Sequence, residues 1–160
     1  MRALVITASN RASAGIYEDK SGKLLAELLG EAGCEVDGPR VVPDGEPVEA
    51  ALRSGVAEGY DVIVTTGGTG LTPTDLTPEM TGRVLDREIP GIAEAVRQAN
   101  RDRVPTSILS RGLAGQAGGS LIVNLPGSSG GVRDGMAVLL PVLGHAVDQI
   151  RGGDHPRPPA

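Results

Sequence analysis

Apolar residues recur along this chain in two rhythms. Short runs rich in β-branched residues, ALVITAS (3–9), YDVIVTT (60–66) and SLIVNL (120–125), predict buried strands. The run at 60–66 is continuous rather than alternating, as in a strand covered on both faces of its sheet. CEVDGPRVV (34–42) predicts a further, broken strand that ends in the turn PDGEP. Between these runs the period becomes helical. KSGKLLAELLGEAG (20–33) places Leu24, Leu25, Leu28, Leu29 and Ala32 on one stripe, with Gly33 as a C-cap. Residues 47–58 do the same with Val48, Ala51, Leu52 and Val56, and a helix from about 91 does so with Ile92, Ala95, Val96 and Ala99. Thr77-Pro78-Glu79 predicts a helix start, with Thr77 as N-cap, Pro78 at the first helical position and an acid near the positive end. Residues 132–150 keep a helical period, but Pro141 is expected to break or restart that helix.

Strands alternating with helices predict an α/β fold: three layers, doubly wound, with a mostly parallel sheet and helices on both faces. Residues 1–151 are expected to form a single domain, and the Pro-rich segment 152–160 a flexible polar tail. Ligands of such sheets bind at the carboxyl ends of the strands. Each predicted strand here ends in polar or Gly-rich sequence: Ser9-Asn10-Arg11, Pro43-Asp44, residues 65–75, and residues 124–129. Four loops then converge on one edge, and that convergence argues for a site.

Composition narrows what the site can hold. Of 160 residues two are Tyr and none is Phe or Trp, so no aromatic platform exists for stacking bases. The net charge of −5 likewise speaks against nucleic acid as a partner, and a phosphate ligand must be held locally. Cys34 is the only cysteine, which excludes an intramolecular disulfide and a Cys-based metal site. His145 and His155, ten residues apart, do not form a metal-ligand spacing. No apolar run is long enough to span a membrane, and no targeting segment is visible, so a cytoplasmic protein is expected.

The most unusual stretch is TTGGTGLTPTDLTPE (65–79). Counting G-x-G-x-x-G from Gly68 puts Pro73 at the third glycine position, after the third strand rather than the first, so the dinucleotide fingerprint fails. GIYEDKS (15–21) approaches a P-loop, but Asp19 stands where a glycine is required. What remains is a turn that can aim N–H groups at an anion, followed by Asp75. A carboxylate beside a phosphate calls for a cation, and Asp44 at another strand end offers a second ligand for Mg2+. From the residues alone, the segment reads either as a pocket for a Mg-nucleotide or other phosphorylated ligand, or as a tight turn with Asp75 on the surface.

TTGGTGLTPTDLTPE resembles the T-x-G-G-T-G…D-x-T-P-E signature of molybdenum-cofactor biosynthesis proteins of the molybdopterin adenylyltransferase (Mog/MoaB) type. SNRASAGIYEDKSG (9–22), VVPDGEPVEAAL (41–52) and LIVNLPGSSGGVRD (121–134) resemble further family segments in the same order, as do IPGIAEAVR and VPTSILSRG. The resemblance covers residues 3–135 and implies transfer of an adenylyl group from MgATP to the terminal phosphate of molybdopterin, with release of pyrophosphate. It implies Asp75 and Asp44 as catalytic and metal-binding residues, with Mg2+ as cofactor. Gly67, Gly68, Thr69 and Gly70, together with Thr66, are implied to line the nucleotide or pterin-phosphate site. Asn124, Pro126, Gly127 and Ser128 are implied as a second wall, with Ser9 and Arg11 closing the phosphate side. The resemblance also implies a homotrimer or a hexamer, and a downstream molybdenum-insertion protein that takes the product.

Three positions depart from the family pattern: Asn10 stands for Asp, Thr74 for Arg beside Asp75, and Ser129 for Pro. The first and second thin the polar clamp, which keeps open a non-catalytic molybdopterin carrier and, more remotely, a Mg-nucleotide hydrolase. Plainer roles also stand beside the functional ones: a surface ion pair for Arg11, core packing for Tyr17, a solvated helix face for Lys20, and a helix cap for Ser128.

Overall fold

A computed structural model describes residues 1–153 and 159; most of the expected tail lies outside the described residues. Six strands, β1 (Arg2–Ala8), β2 (Glu35–Val42), β3 (Val62–Thr66), β4 (Arg87–Glu88), β5 (Ala114–Ala117) and β6 (Ser120–Leu125), form one sheet in the order β2-β1-β3-β6-β5-β4. The helices are α1 (Asn10–Ser13), α2 (Lys20–Glu31), α3 (Glu46–Ala57), α4 (Thr77–Val84), α5 (Pro90–Gln98) and α6 (Ser129–Ile150), with a 3-10 turn at Pro105–Leu109. The β2, β1, β3 and β6 strands run parallel, whereas β4 and β5 add an antiparallel margin. The α/β expectation therefore holds, with a mixed sheet.

Strand alternation divides the core. Ala3, Val5, Val62, Val64, Leu121, Val123 and Leu125 face one side and pack with Leu25 and Leu29 of α2 and Met136, Leu139 and Leu143 of α6. Leu4, Ile6, Ile63 and Ile122 face the other, against Val48 and Leu52 of α3 and Met80 and Val84 of α4. A continuous apolar run is what a strand between two such layers requires.

Several expectations need correction. Pro141 lies inside an unbroken α6. Both Pro141 and Ala137, the residue four positions before it, are exposed, so the bond that the proline removes belongs to the solvent side of the helix. Meanwhile buried Val132, Met136, Leu139, Leu143 and Val147 anchor the helix on either side of the proline. In α5 the buried positions are Ala93 and Val96, while Ala95, and Ala99 just past the helix end, are exposed. A stripe read from alanines is easily placed one residue off, because alanine marks a face weakly. Thr77 is the first residue of α4 and Leu76 occupies the cap position without a side-chain bond. The hydroxyl expected to cap the helix is turned into the core instead.

The end of the sheet away from the strand carboxyl termini is tied by charge. Tyr60 is buried, donates to Asp37 at 2.5 Å and lies under the Arg2 guanidinium, 4.4 Å from the ring centre. Arg40 grips both oxygens of Glu58 at 3.1 and 2.9 Å, and Ser54 donates to the same carboxylate at 2.6 Å. The Arg40 hydrogen bond, and then that of Ser54, pull the Glu58 carboxyl down to about 2 from 4.5. A carboxyl depressed in the folded state contributes stability above its unfolded value, and that contribution disappears as pH falls toward 2. Urea midpoints of the wild type are therefore expected to fall more steeply between pH 5 and pH 2 than those of Glu58→Gln. Parallel profiles for the two proteins would remove Glu58 from the acid response.

Candidate functional site

Because β1, β2, β3 and β6 are parallel, the loops after Ala8, Val42, Thr66 and Leu125 leave the same edge of the sheet. The sequence-predicted convergence is observed. A cavity of about 670 Å3 opens there, lined by Ser9, Arg11, Asp44, Thr66, Gly67, Gly68, Asp75 and Gly127 of the predicted residues. A second cavity of about 540 Å3 lies on the far side of the same loops and takes Thr69, Gly70, Pro126 and Ser128. The residues expected around one pocket are thus divided between two, with the 67–70 and 126–128 segments as the shared wall.

Backbone geometry explains the glycines at two points. Gly67 has φ 92° and Gly68 φ 69°, both in the left-handed region. A side chain on Gly67 would overlap the Ala8 carbonyl oxygen, and one on Gly68 would meet the Thr77 hydroxyl and, at 2.7 Å, Asp44 Oδ1. The N–H of Gly67 donates to the Leu125 carbonyl at 3.2 Å, so this N–H ties the end of β3 to the end of β6 rather than facing a ligand. Thr66 reinforces the junction by donating to the Pro126 carbonyl at 2.8 Å.

The two aspartates come together in the first cavity. Asp75 Oδ2 accepts from the Thr72 N–H at 3.0 Å. The Asp44 N–H donates to Asn10 Oδ1 at 3.0 Å, which ties the first loop to the second. Asn10 therefore supplies an acceptor here without adding a third negative charge. Asp44 Oδ1 and Thr77 Oγ1 are buried without a hydrogen-bond partner among the described residues, and both lie against Gly68. Burial raises the Asp44 carboxyl above its ordinary value, and the Asp75 charge adds to that.

These donors suit Mg2+. They are hard carboxylate oxygens on adjacent loops, and one of them is buried and unsatisfied. Among the described residues no group of three or more His, Cys, Asp or Glu could hold a metal unaided. Two carboxylates match an ion that keeps waters and takes the rest of its shell from substrate phosphates.

Asn124 is a correction. It lines neither cavity, is buried, and its amide is fully used: Nδ2 donates to Thr65 and Thr81 hydroxyls at 3.0 Å and Oδ1 accepts from Leu113 N–H at 3.0 Å. It fastens β6 to β3 and α4 rather than facing a ligand. The cap reading of Ser128 holds, since its hydroxyl accepts from Gly131 N–H at 3.0 Å; Ser9 caps α1 in the same way. Tyr17 is 56% exposed and lines the first cavity rather than packing in the core. Lys20, Asp19, Ser21 and Thr74 also line it and were not singled out as site residues. The first three lie in the quoted 9–22 segment and Thr74 in the 65–79 stretch. Arg111 lies in the quoted VPTSILSRG segment, but the segment does not show which residues it holds, because its partners lie 32 to 42 residues away in the chain.

The second cavity differs in character. Leu71, Val96, Val104 and Leu109 give it apolar walls, with Arg97 and Arg133 beside the N-terminus of α6. A polar, carboxylate-bearing cavity and a more apolar one, divided by a glycine turn at the carboxyl edge of a parallel sheet, mark the place where small ligands bind in an α/β domain of this class.

Comparison with known proteins narrows that class. The family described as "probable molybdopterin binding domain" matches residues 4–145. The chain belongs to this molybdenum-cofactor biosynthesis family, as the ordered motifs led one to expect. It is 41% identical over 153 residues to a molybdopterin adenylyltransferase of Helicobacter pylori, covering 92% of this chain and 86% of that one. It is 36% identical over 156 residues to a molybdenum cofactor biosynthesis bifunctional protein of Chlorobaculum tepidum, covering 96% of this chain but only 50% of the relative. The solved structure of the molybdopterin biosynthesis Mog protein from Mycobacterium ulcerans superimposes with a TM-score of 0.90 at 53% identity, covering 93% and 98% of the two chains.

Proposed function

We propose that this chain is a molybdopterin adenylyltransferase. In this reading an oxygen of the terminal phosphate of molybdopterin attacks the α-phosphorus of ATP. A new phosphorus–oxygen bond forms, the α–β bridging bond breaks, and pyrophosphate leaves with the electron pair. The carrying observation is the meeting of Asp44 and Asp75 from two strand-end loops at the Gly67-Gly68 turn, with a buried Asp44 oxygen left unsatisfied. The relative named molybdopterin adenylyltransferase supports the same activity.

Both reactants are anions, so the chemistry needs placement and charge neutralisation rather than a strong base. Asp44 and Asp75 are the residues that would hold Mg2+, which would supply charge neutralisation for the phosphate oxygens. Arg11 and Lys20, on the same cavity, add positive charge to a wall that also carries Glu18 and Asp19. The Asp19 carboxylate is already engaged, accepting from the Thr7 hydroxyl at 2.8 Å and the Gly22 N–H at 2.9 Å. With the Gly67 N–H committed to β6, the N–H groups of Gly68 to Gly70 are the donors that this turn offers an anion. The apolar second cavity takes the flat pterin, and the shared wall brings the two phosphates together.

The test mixes protein, MgATP and molybdopterin and measures pyrophosphate and adenylylated pterin. Formation of both in equal amounts is expected. Pterin binding with no MgATP binding would instead make the chain a carrier, and phosphate release from ATP without pterin would make it a hydrolase.

The same reading places the product with a downstream metal-inserting protein. It is supported by relatives called bifunctional, in which this chain accounts for about half the length. A homotrimer or hexamer is part of the proposal, supported by an apolar groove between α5 and α6 lined by Ile92, Ala95, Val138 and Val142. Among the described residues no helix is long and apolar enough to cross a membrane, which is compatible with the proposed cytoplasmic setting.

A further inference from the structure

The segment between β3 and α4 carries Asp75 but has no regular secondary structure of its own. Its internal bonds are short in range: Asp75 N–H to the Thr72 carbonyl, Thr72 N–H to Asp75 Oδ2, and Thr77 N–H to the Gly68 carbonyl. Such local bonds fix a turn but not its placement against the sheet.

Beyond the Gly67 bond to Leu125 at its first residue, that placement comes from Arg111 among the described residues. The Arg111 N–H donates to the Thr69 carbonyl at 2.9 Å, its Nε to the Gly70 carbonyl at 2.9 Å, and its Nη2 to the Asp75 carbonyl at 2.7 Å. Its Nη1 pairs with the Glu79 carboxylate, which lowers the Glu79 carboxyl below its ordinary value. Arg111 thus holds the segment near its start, at Thr69 and Gly70, and near its end, at Asp75. It lines neither of the two cavities, only a separate smaller one of about 280 Å3, so it reaches the two-cavity site through the loop.

We propose that Arg111 is the positioning residue for Asp75 and for the spacing of the two cavities. Two details carry this. A side chain on Gly70 would meet Asp75 Oδ2 at 2.8 Å, so the Asp75 carboxylate rests directly over Gly70. Arg111 grips the carbonyls of both residues and thereby fixes the carboxylate and the surface it rests on. Thr69 and Gly70 belong to the second cavity and Asp75 to the first, so the same grip sets how far apart two ligands sit. Lysine cannot replace it, because one ammonium cannot reach acceptors spread along the edge of a planar guanidinium. The Glu79 of the T-P-E motif thereby gains a role: it balances the charge of the guanidinium that holds the loop.

The kinetic part of this inference rests on the adenylyl-transfer reading, whereas the structural part does not, and the experiment separates them. Amide hydrogen exchange is measured on wild type, Arg111→Gln and Arg111→Lys, together with steady-state adenylylation kinetics. Exchange across residues 69–76 is expected to rise by about 10-fold or more in both variants, with β1, β3 and β6 as protected as in wild type. The kcat is expected to fall about 100-fold, the scale of an ångström-level misplacement, while KM for MgATP moves less than about 3-fold. Unchanged loop exchange, or a retained kcat, overturns the proposal. Equal loss of protection in the strands also overturns it, since Arg111 would then be a general stability residue, and so does full activity in Arg111→Lys. Should the wild type form no adenylylated pterin, the functional reading fails, and the exchange data still decide whether Arg111 holds the loop.

Discussion

Asp75→Asn is expected to leave the fold in place and lower kcat by about 1,000-fold, the upper range for removing one preorganised electrostatic group. The fold survives because the substitution is nearly isosteric. The bond from Thr72 N–H to Asp75 Oδ2, at 3.0 Å, can be accepted equally by an asparagine oxygen. The Arg111 bond goes to the Asp75 backbone carbonyl and does not depend on the side chain. A melting temperature within about 2 °C of wild type is therefore expected, in line with about 0.5 kcal/mol or less for a conservative change outside the core. What disappears is a negative charge next to Asp44. Since the Asp75 charge helps to raise the Asp44 carboxyl, that carboxyl should move back toward its ordinary range in the variant. A carboxyl-carbon NMR titration reads this shift, and a pyrophosphate assay reads turnover. Turnover at the wild-type rate would remove Asp75 from the mechanism, whatever the titration shows.

How far the site could be read in advance depended on the range of the interactions that build it. The parallel half of the sheet was legible because β1, β3 and β6 are apolar runs whose type follows from burial on both faces. The Asp44 and Asp75 pairing followed from topology, since parallel strands deliver their loops to one edge. The antiparallel margin was not legible. The β5 strand is Ala-Gly-Gln-Ala and β4 is two exposed residues, so neither carries the β-branched signal of a strand. Asn124 illustrates a different limit. A polar residue ending an apolar strand beside a glycine-rich loop looks like a ligand contact, but three core partners from β3, α4 and residue 113 use its whole amide. Thr77 erred the other way, from expected helix cap to a buried hydroxyl against Gly68. Whether a polar side chain at such an edge turns inward or outward depends on neighbours distant in sequence. Arg111 is the extreme case: it lies in the quoted VPTSILSRG segment, yet its grip on residues 69–79 exists only once the chain folds.

Gly68→Ala is expected to be costly twice over, to the fold and to the site. At φ 69° an alanine pays the left-handed penalty of about 1–2 kcal/mol. Its methyl group would also overlap the Thr77 hydroxyl and approach Thr77 Cβ at 3.2 Å and Asp44 Oδ1 at 2.7 Å. Thr77 is fully buried at the start of α4 and has no room to swing away, so overpacking adds about 1–3 kcal/mol. Together these lower the melting temperature by about 5–15 °C for a domain of this size. Gly15→Ala isolates the first contribution, because Gly15 has φ 73° yet nothing lies within 4 Å of its added methyl. The excess loss in Gly68→Ala over Gly15→Ala measures the overlap alone. Equal losses would show that Thr77 and Asp44 yield freely, and that the close approach at Gly68 does not constrain the site. The kinetic consequence follows from the direction of the push. The methyl group displaces the Asp44 oxygen that lacks a partner, so MgATP binding should weaken even at temperatures where the variant is fully folded. Titration calorimetry well below its melting point reads that loss separately from stability. Wild-type MgATP affinity in a folded Gly68→Ala protein would place the nucleotide away from the Gly68 turn.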